Sequence, residues 1–121
     1  METRADILIV DDDEGTRQTL TLILRKKGYA TEAAGTGQEA LTKARARFFN
    51  LALLDLRLPD TEGVELIAPL KALHPDIAVL MVTGYASQQT AIQALNAGAA
   101  GYLTKPVEMD EALAKIRDVL E

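Results

Sequence analysis

The 121-residue chain has no cysteine and a single histidine, His74, and these two shortages narrow its chemistry before any motif is considered. Without thiols there are no disulfides and no thiolate-held metals, which fits a reducing, cytoplasmic setting. One histidine leaves no His-based triad or metal site, and its place before Pro75 at an expected helix end reads as a solvated surface position. No apolar run approaches the roughly 20 residues needed to span a bilayer. The opening Met1-Glu2-Thr3-Arg4-Ala5-Asp6 lacks the basic-then-apolar order of a signal peptide. No stretch is rich in lysine and arginine, and 13 basic residues against 18 acidic give a net charge of −5, which argues against direct binding to nucleic acid or to an anionic membrane. Linkers, repeats and low-complexity tracts are also missing, so residues 1–121 are expected to form one domain, with 48% apolar content sufficient for a core.

What is present is an alternation of short apolar runs with helical stretches, the pattern of repeated βα units on a parallel sheet. Strands are expected at about 5–10, 29–34, 51–54, 77–82 and 101–104, the second weak enough to suit an edge. Helices are expected at about 15–27, 37–48, 63–73, 87–97 and 109–120, with Gly28 stopping the first, Phe48 closing the second, and Ser87 and Asp110 capping the fourth and fifth. Pro69 inside the third removes a backbone donor and predicts a kink. Right-handed crossovers place helices on both faces of such a sheet. The common five-strand order 2-1-3-4-5, a doubly wound arrangement, sets the first and third strands side by side.

The apolar runs share one property at their C-terminal ends. Ile7-Leu8-Ile9-Val10 runs into Asp11-Asp12-Asp13, Leu51-Ala52-Leu53-Leu54 into Asp55, Ile77 to Val82 into Thr83, and Gly101-Tyr102-Leu103-Thr104 into Lys105-Pro106. In a parallel sheet these ends lie on one edge, where open α/β folds build their sites. Asp11, Asp12 and Asp55 then become neighbours, and their mutual repulsion calls for raised pKa values or a cation. Carboxylate oxygens without nitrogen or sulfur donors select a hard ion, and Mg²⁺ fits because it accepts few protein ligands and keeps exchangeable waters. Lys105 on that edge suits an ion pair with Asp55 or with a phosphoryl group on it, and Thr83 offers a hydroxyl beside Gly84. Asp13 and Glu14 read as a helix cap and a solvated charge, and Gly35-Thr36-Gly37 as a turn rather than a phosphate loop. Tyr102 is either a buried aromatic or a side chain with two positions that answers the nearby site.

The run Ile7-Leu8-Ile9-Val10-Asp11-Asp12, then Asp55-Leu56-Arg57-Leu58-Pro59-Asp60-Thr61-Glu62-Gly63, then Met81-Val82-Thr83-Gly84, then Gly101-Tyr102-Leu103-Thr104-Lys105-Pro106 resembles the receiver domain of two-component response regulators. The resemblance covers essentially the whole chain. It implies a flavodoxin-like fold in which Asp55 accepts a phosphoryl group from a sensor histidine kinase or phosphotransfer protein. Asp12, Asp55 and the backbone carbonyl of Arg57 would hold Mg²⁺, with Asp11 contributing through water, and Thr83 and Lys105 would bind phosphoryl oxygens. Tyr102 would turn inward as Thr83 moves, and the Lys105–Pro106 bond is expected to be cis. Such a domain is not a conventional enzyme: it catalyses its own phosphorylation and dephosphorylation, and acts as a signalling switch. By the same resemblance, Arg57 and Tyr85 flank the path of a hydrolytic water, where a cation and a ring are expected to slow loss of phosphate. The expected output face is the fourth helix with the fifth strand and fifth helix, open to an output domain or a second copy. The loop and the Thr83-Gly84-Tyr85 segment look closest to receivers attached to transcription activators.

Two other readings compete. A small aspartyl-phosphate phosphatase of the haloacid-dehalogenase type would use Asp11 as nucleophile and Asp13 as acid, but it prefers threonine or valine where Gly15 stands. A flavin-binding module on the same fold would need hydroxyls and glycines in its first loop, whereas Asp11-Asp12-Asp13 would repel a phosphate.

Overall fold

The computed structural model describes residues 5–84 and 88–120. Five strands, β1 (Asp6–Val10), β2 (Ala30–Ala34), β3 (Leu51–Leu54), β4 (Ala78–Thr83) and β5 (Gly101–Thr104), alternate with five helices, α1 (Glu14–Lys26), α2 (Gly37–Ala46), α3 (Val64–Leu73), α4 (Gln88–Ala97) and α5 (Met109–Leu120). All strand pairs are parallel and the order is β2-β1-β3-β4-β5, the doubly wound sheet expected from the βα alternation and the flavodoxin-like fold that the resemblance implies.

Alternation along the inner strands divides the core into two layers. Leu8 and Val10, Ala52 and Leu54, and Val79 and Met81 point to the layer covered by α2, α3 and α4. Ile7 and Ile9, Leu51 and Leu53, and Leu80 and Val82 point to the layer under α1 and α5. Each inner strand is thus buried on both faces, which is why it reads as an unbroken apolar run. No helix among the described residues is long and apolar enough to cross a membrane.

Helix ends follow local chemistry. Gly28 takes φ 95° and closes α1, with the Tyr29 N–H donating to the Leu24 carbonyl at 3.1 Å; Gly98, φ 114°, closes α4 in the same way. Helix α3 continues through Pro69, and the lost donor leaves the carbonyl of the exposed Glu65 without its usual helical partner. Two expectations need correction. Helix α2 ends at Ala46, because Arg47 adopts an extended backbone and is drawn to Asp6 (2.6 Å) and Glu32 (3.3 Å). Leaving the helix at Arg47, the chain turns Phe48 outward, 49% exposed, and buries Phe49 completely. The cap of α5 is Glu108, whose carboxylate accepts from the Asp110 and Glu111 N–H groups, so Asp110 lies inside the first turn. Ser87 falls outside the described residues.

The two edge strands are closed by basic side chains from the flanking helices. Ala34 gives its carbonyl to Asp11, and strand carbonyls alternate in direction, so those of Thr31 and Ala33 face away from β1. Arg25 donates to the Thr31 carbonyl at 3.2 Å and to its hydroxyl at 2.8 Å, and Lys43 donates to the Ala33 carbonyl at 2.6 Å. At the opposite edge, Lys115 donates to the Tyr102 carbonyl at 2.8 Å.

Candidate functional site

The C-terminal ends of β1, β3 and β5 meet where the sequence pattern put them. Val10 and Leu54 are register partners, and the Asp55 N–H donates to the Val10 carbonyl at 2.8 Å, which carries the ladder one residue beyond β3. Asp11 and Asp55 are therefore held side by side by backbone pairing. Carboxylate oxygens of Asp11, Asp12 and Asp55 all lie within 4.8 Å of one another. Asp11 is 2% exposed and Asp55 8%, whereas Asp12 faces solvent.

Lys105 reaches both buried acids, with Nζ 2.7 Å from Asp11 Oδ2 and 3.3 Å from Asp55 Oδ2. It directly follows β5, its backbone N–H donating to the Thr83 carbonyl at 2.9 Å, and its bond to Pro106 is cis, as expected. Burial, and then the charge of Asp11, push the Asp55 pKa above the ordinary carboxylate value, while Lys105 acts in the opposite direction. For Lys105 burial is the largest single influence and works downward, but the bonds and charges of Asp11 and Asp55 together outweigh it and raise its pKa. The ammonium is thus secured by two carboxylates, and Asp12 adds a third to the cluster. That donor set, all oxygen, with a surplus of negative charge, suits a hard divalent cation.

Thr83 ends β4 on the same edge and is 4% exposed. Behind it lies a cavity of about 10 Å³ lined by Leu56, Met81, Thr83, Thr90, Ala94 and Tyr102 among others. The Tyr102 ring itself points outward, 37% exposed, with Lys115 Nζ 5.6 Å from its centroid. Arg57 is exposed on the loop after β3, and Tyr85 lies outside the described residues. Beside Lys105 a cleft of about 350 Å³ opens between the start of α1 and the β5–α5 connection, lined by Thr16, Thr19, Pro106, Val107 and Met109.

The remaining polar residues take other duties. Asp13 caps α1, its Oδ2 accepting from the Thr16 N–H at 2.8 Å and the Thr16 hydroxyl at 2.6 Å; these bonds, the side-chain one first, lower its pKa. A carboxylate so committed serves the helix end and is poorly suited to protonate a leaving group, the task the phosphatase reading gives it. His74, expected in solvent, is half-buried: its Nε2 lies 2.8 Å from the Ala44 carbonyl, and its ring meets Phe48 edge-on. The end of α3 packs over the end of α2 there, an interhelix contact that no local pattern announces.

Two further side chains brace the site, and neither stands out in the sequence. Arg17 donates from Nη1 to the Asp11 carbonyl at 2.6 Å. Asp60 accepts from the Gly37 and Gln38 N–H groups at 2.8 and 2.9 Å, which lowers its pKa and ties the β3–α3 loop to α2. The spacing of Arg17 from Asp11, across the first turn of α1, offers a weak local signal; Asp60 offers none, because its partners lie on another element.

The profile of the response regulator receiver domain family matches residues 7–117. The chain is 41% identical over 115 residues to the transcriptional regulatory protein ZraR of Escherichia coli O157:H7, an alignment covering 95% of this chain and 26% of that protein. It thus spans about a quarter of the length of that regulator. Among solved structures, a CheY-like receiver domain protein from Methanospirillum hungatei JF-1 superposes with a TM-score of 0.92 at 45% identity, covering 98% of this chain and 94% of the other. A response regulator from Burkholderia pseudomallei, crystallised with a phosphorylated aspartic acid, a calcium ion and citrate, superposes with a TM-score of 0.86 at 43% identity over 91% of this chain and 65% of that one. The chain belongs to the response regulator receiver domain family of two-component systems.

Proposed function

We propose that Asp55 is the phosphoacceptor and that a sensor histidine kinase, or a histidine phosphotransfer protein, is the donor. The observation that carries this reading is the position of Asp55 at the end of an inner strand, beside Asp11 and within reach of Lys105. An Asp55 carboxylate oxygen attacks phosphorus in line. The P–N bond of the phosphohistidine breaks, its electron pair returns to the imidazole, and an aspartyl phosphate remains. Lys105 exchanges its contact with Asp55 for one with a phosphoryl oxygen, and the Thr83 hydroxyl donates to another. The cleft beside Lys105 gives the donor its approach. Hydrolysis by water at phosphorus later releases inorganic phosphate and restores the carboxylate.

Asp11, Asp12, Asp55 and the Arg57 backbone carbonyl are the residues we assign to Mg²⁺. When bound, the ion would offset negative charge on the phosphoryl oxygens. The close oxygen-only cluster and its surplus of charge support this assignment, as does the calcium ion found with a phosphorylated aspartic acid in the Burkholderia pseudomallei relative.

The readout we infer is a shift of α4, β5 and α5. The space behind Thr83, about 10 Å³, is at the lower limit for one water and cannot take a tyrosine ring. An inward turn of Tyr102 therefore requires Thr83 or α4 to move, which couples the site to this face. Helix α4 carries no charge over Gln88–Ala97, and Ile92 and Leu95 are each 49% exposed. It can therefore pack on an output domain or a second copy without desolvating ions. The similarity to ZraR supports transcription as the process controlled. Exposed Arg57, with Tyr85, is the pair we assign to slowing hydrolysis.

The experiment is incubation with acetyl phosphate and Mg²⁺ followed by intact mass measurement. One added phosphoryl group is expected, and none in Asp55→Asn. Labelling that persists in Asp55→Asn would place the acceptor elsewhere.

A further inference from the structure

The β3–α3 loop, which carries the Arg57 carbonyl, is a tight excursion with its tip fastened to a distant element. The Leu58 N–H donates to the Thr61 carbonyl at 2.9 Å, Arg57 and Glu62 pair as an isolated antiparallel bridge, and the Gly63 N–H returns to the Leu56 carbonyl at 2.7 Å. At the tip Asp60 uses both carboxylate oxygens on the first-turn donors of α2. Helix α2 already has a local cap, the Thr36 hydroxyl oxygen accepting from the Glu39 N–H at 3.0 Å. Asp60 is therefore a second cap, delivered from 23 residues away in sequence. The seat is close: a Cβ on Gly37 would lie 2.5 Å from Thr61 Cγ2 and 3.4 Å from Asp60 Oδ1. Helix α2 is itself immobilised by Ala40 and Ala44, both buried against the sheet.

From this geometry we propose that Asp60 is a positioning residue: by clamping the loop to α2 it presents the Arg57 carbonyl to the acidic site and sets that site's affinity for a divalent cation. The inference rests on the assignment of Arg57, Asp11, Asp12 and Asp55 to Mg²⁺. With the clamp the loop is ordered before the ion arrives. Without it the loop keeps its own hydrogen bonds and the packing of Leu56 and Leu58 on the core but loses its tie to α2, and cation binding must supply more of the ordering. Outer partners that orient a ligand typically change metal affinity by about 10–100-fold when removed. Asp60 acts one step further out, through the backbone, so the low end of that range applies.

The test compares Asp60→Ala, Asp60→Asn and Thr36→Ala in the full chain. Mg²⁺ affinity is followed by amide chemical shifts, and stability by urea denaturation. Asp60→Ala should weaken Mg²⁺ binding roughly tenfold, and Asp60→Asn, which keeps an acceptor oxygen, should fall between it and wild type. Thr36→Ala removes a cap from the same helix end and should lower stability while leaving Mg²⁺ affinity unchanged. Wild-type affinity in Asp60→Ala, or an equal loss in Thr36→Ala, would overturn the proposal. A wild-type chain with no Mg²⁺ response would overturn the cation assignment instead. The clamp would then be decided by hydrogen exchange of the Leu58 and Gly63 amides without metal: several-fold faster exchange in Asp60→Ala alone supports it, and unchanged exchange refutes it.

Discussion

Replacing Lys105 with methionine keeps most of the side-chain volume and removes the cation that pairs with both buried acids. At an effective dielectric of about 20, unit charges attract by about 6 kcal/mol at the 2.7 Å separation from Asp11 and about 5 kcal/mol at the 3.3 Å separation from Asp55. Most of that gross attraction is offset by the cost of desolvating the ions, and removing one member of a buried pair generally costs about 3–5 kcal/mol. The Lys105 side chain is 23% exposed, so water shares the burden and a loss of about 2–3 kcal/mol is expected without metal. Double-mutant cycles with Asp11→Asn and Asp55→Asn apportion it. The shorter contact should give the larger coupling, about 2 kcal/mol for Lys105–Asp11 and about 1 kcal/mol for Lys105–Asp55. Urea denaturation in chelator at low salt and pH 7.5 measures all four corners of each cycle. A loss below about 0.5 kcal/mol in Lys105→Met, or a larger coupling to Asp55 than to Asp11, would refute the view that Lys105 is anchored chiefly by Asp11.

Asp55→Asn should raise the stability of the metal-free protein at neutral pH. The folded Asp55 pKa is raised, so between the unfolded value of about 3.9 and that raised value the folded state holds more protons, and stability falls as pH rises. The gain in Asp55→Asn should therefore vanish as pH approaches the ordinary aspartate range, and a gain independent of pH would contradict the assignment. Gly63→Ala should destabilise by at least about 3 kcal/mol, because the new Cβ would sit 1.9 Å from the Asp55 carbonyl oxygen, whereas Gly84→Ala, with nothing within 4 Å, should be near neutral. Equal melting temperatures for the two variants would remove the steric argument. Arg25→Met with Lys43→Met uncovers the outward carbonyls of β2 and should increase self-association in sedimentation experiments, since open edge strands invite pairing; sedimentation identical to wild type would show that the edge needs no such cover.

The fold and the centre of the site were legible for one physical reason: both follow from strands buried on two faces. Such strands must be apolar throughout, so the first polar residue after each marks the sheet edge, and parallel order brings those residues together. Leu51–Leu54 followed by Asp55 therefore gave both an element with correct bounds and a candidate site residue. What escaped was decided between elements. Phe48 and Phe49 are adjacent aromatics, and which one enters the core depends on Arg47 being pulled toward Asp6 and Glu32. Glu108 and Asp110 are both plausible caps, and the longer acid wins because it precedes the helix and reaches the two N–H groups. His74 finds its acceptor on α2, 30 residues back. Asp60 is the sharpest instance, because its partners are main-chain N–H groups of another helix, and the one trace they leave, a glycine at position 37, reads equally well as a turn. Backbone donors are present in nearly every residue, so a carboxylate that binds them carries no partner signature. The parts of a site fixed by side-chain pairs at strand ends are thus recoverable from sequence, while the parts fixed by side chain to backbone across elements become visible only once the chain is folded.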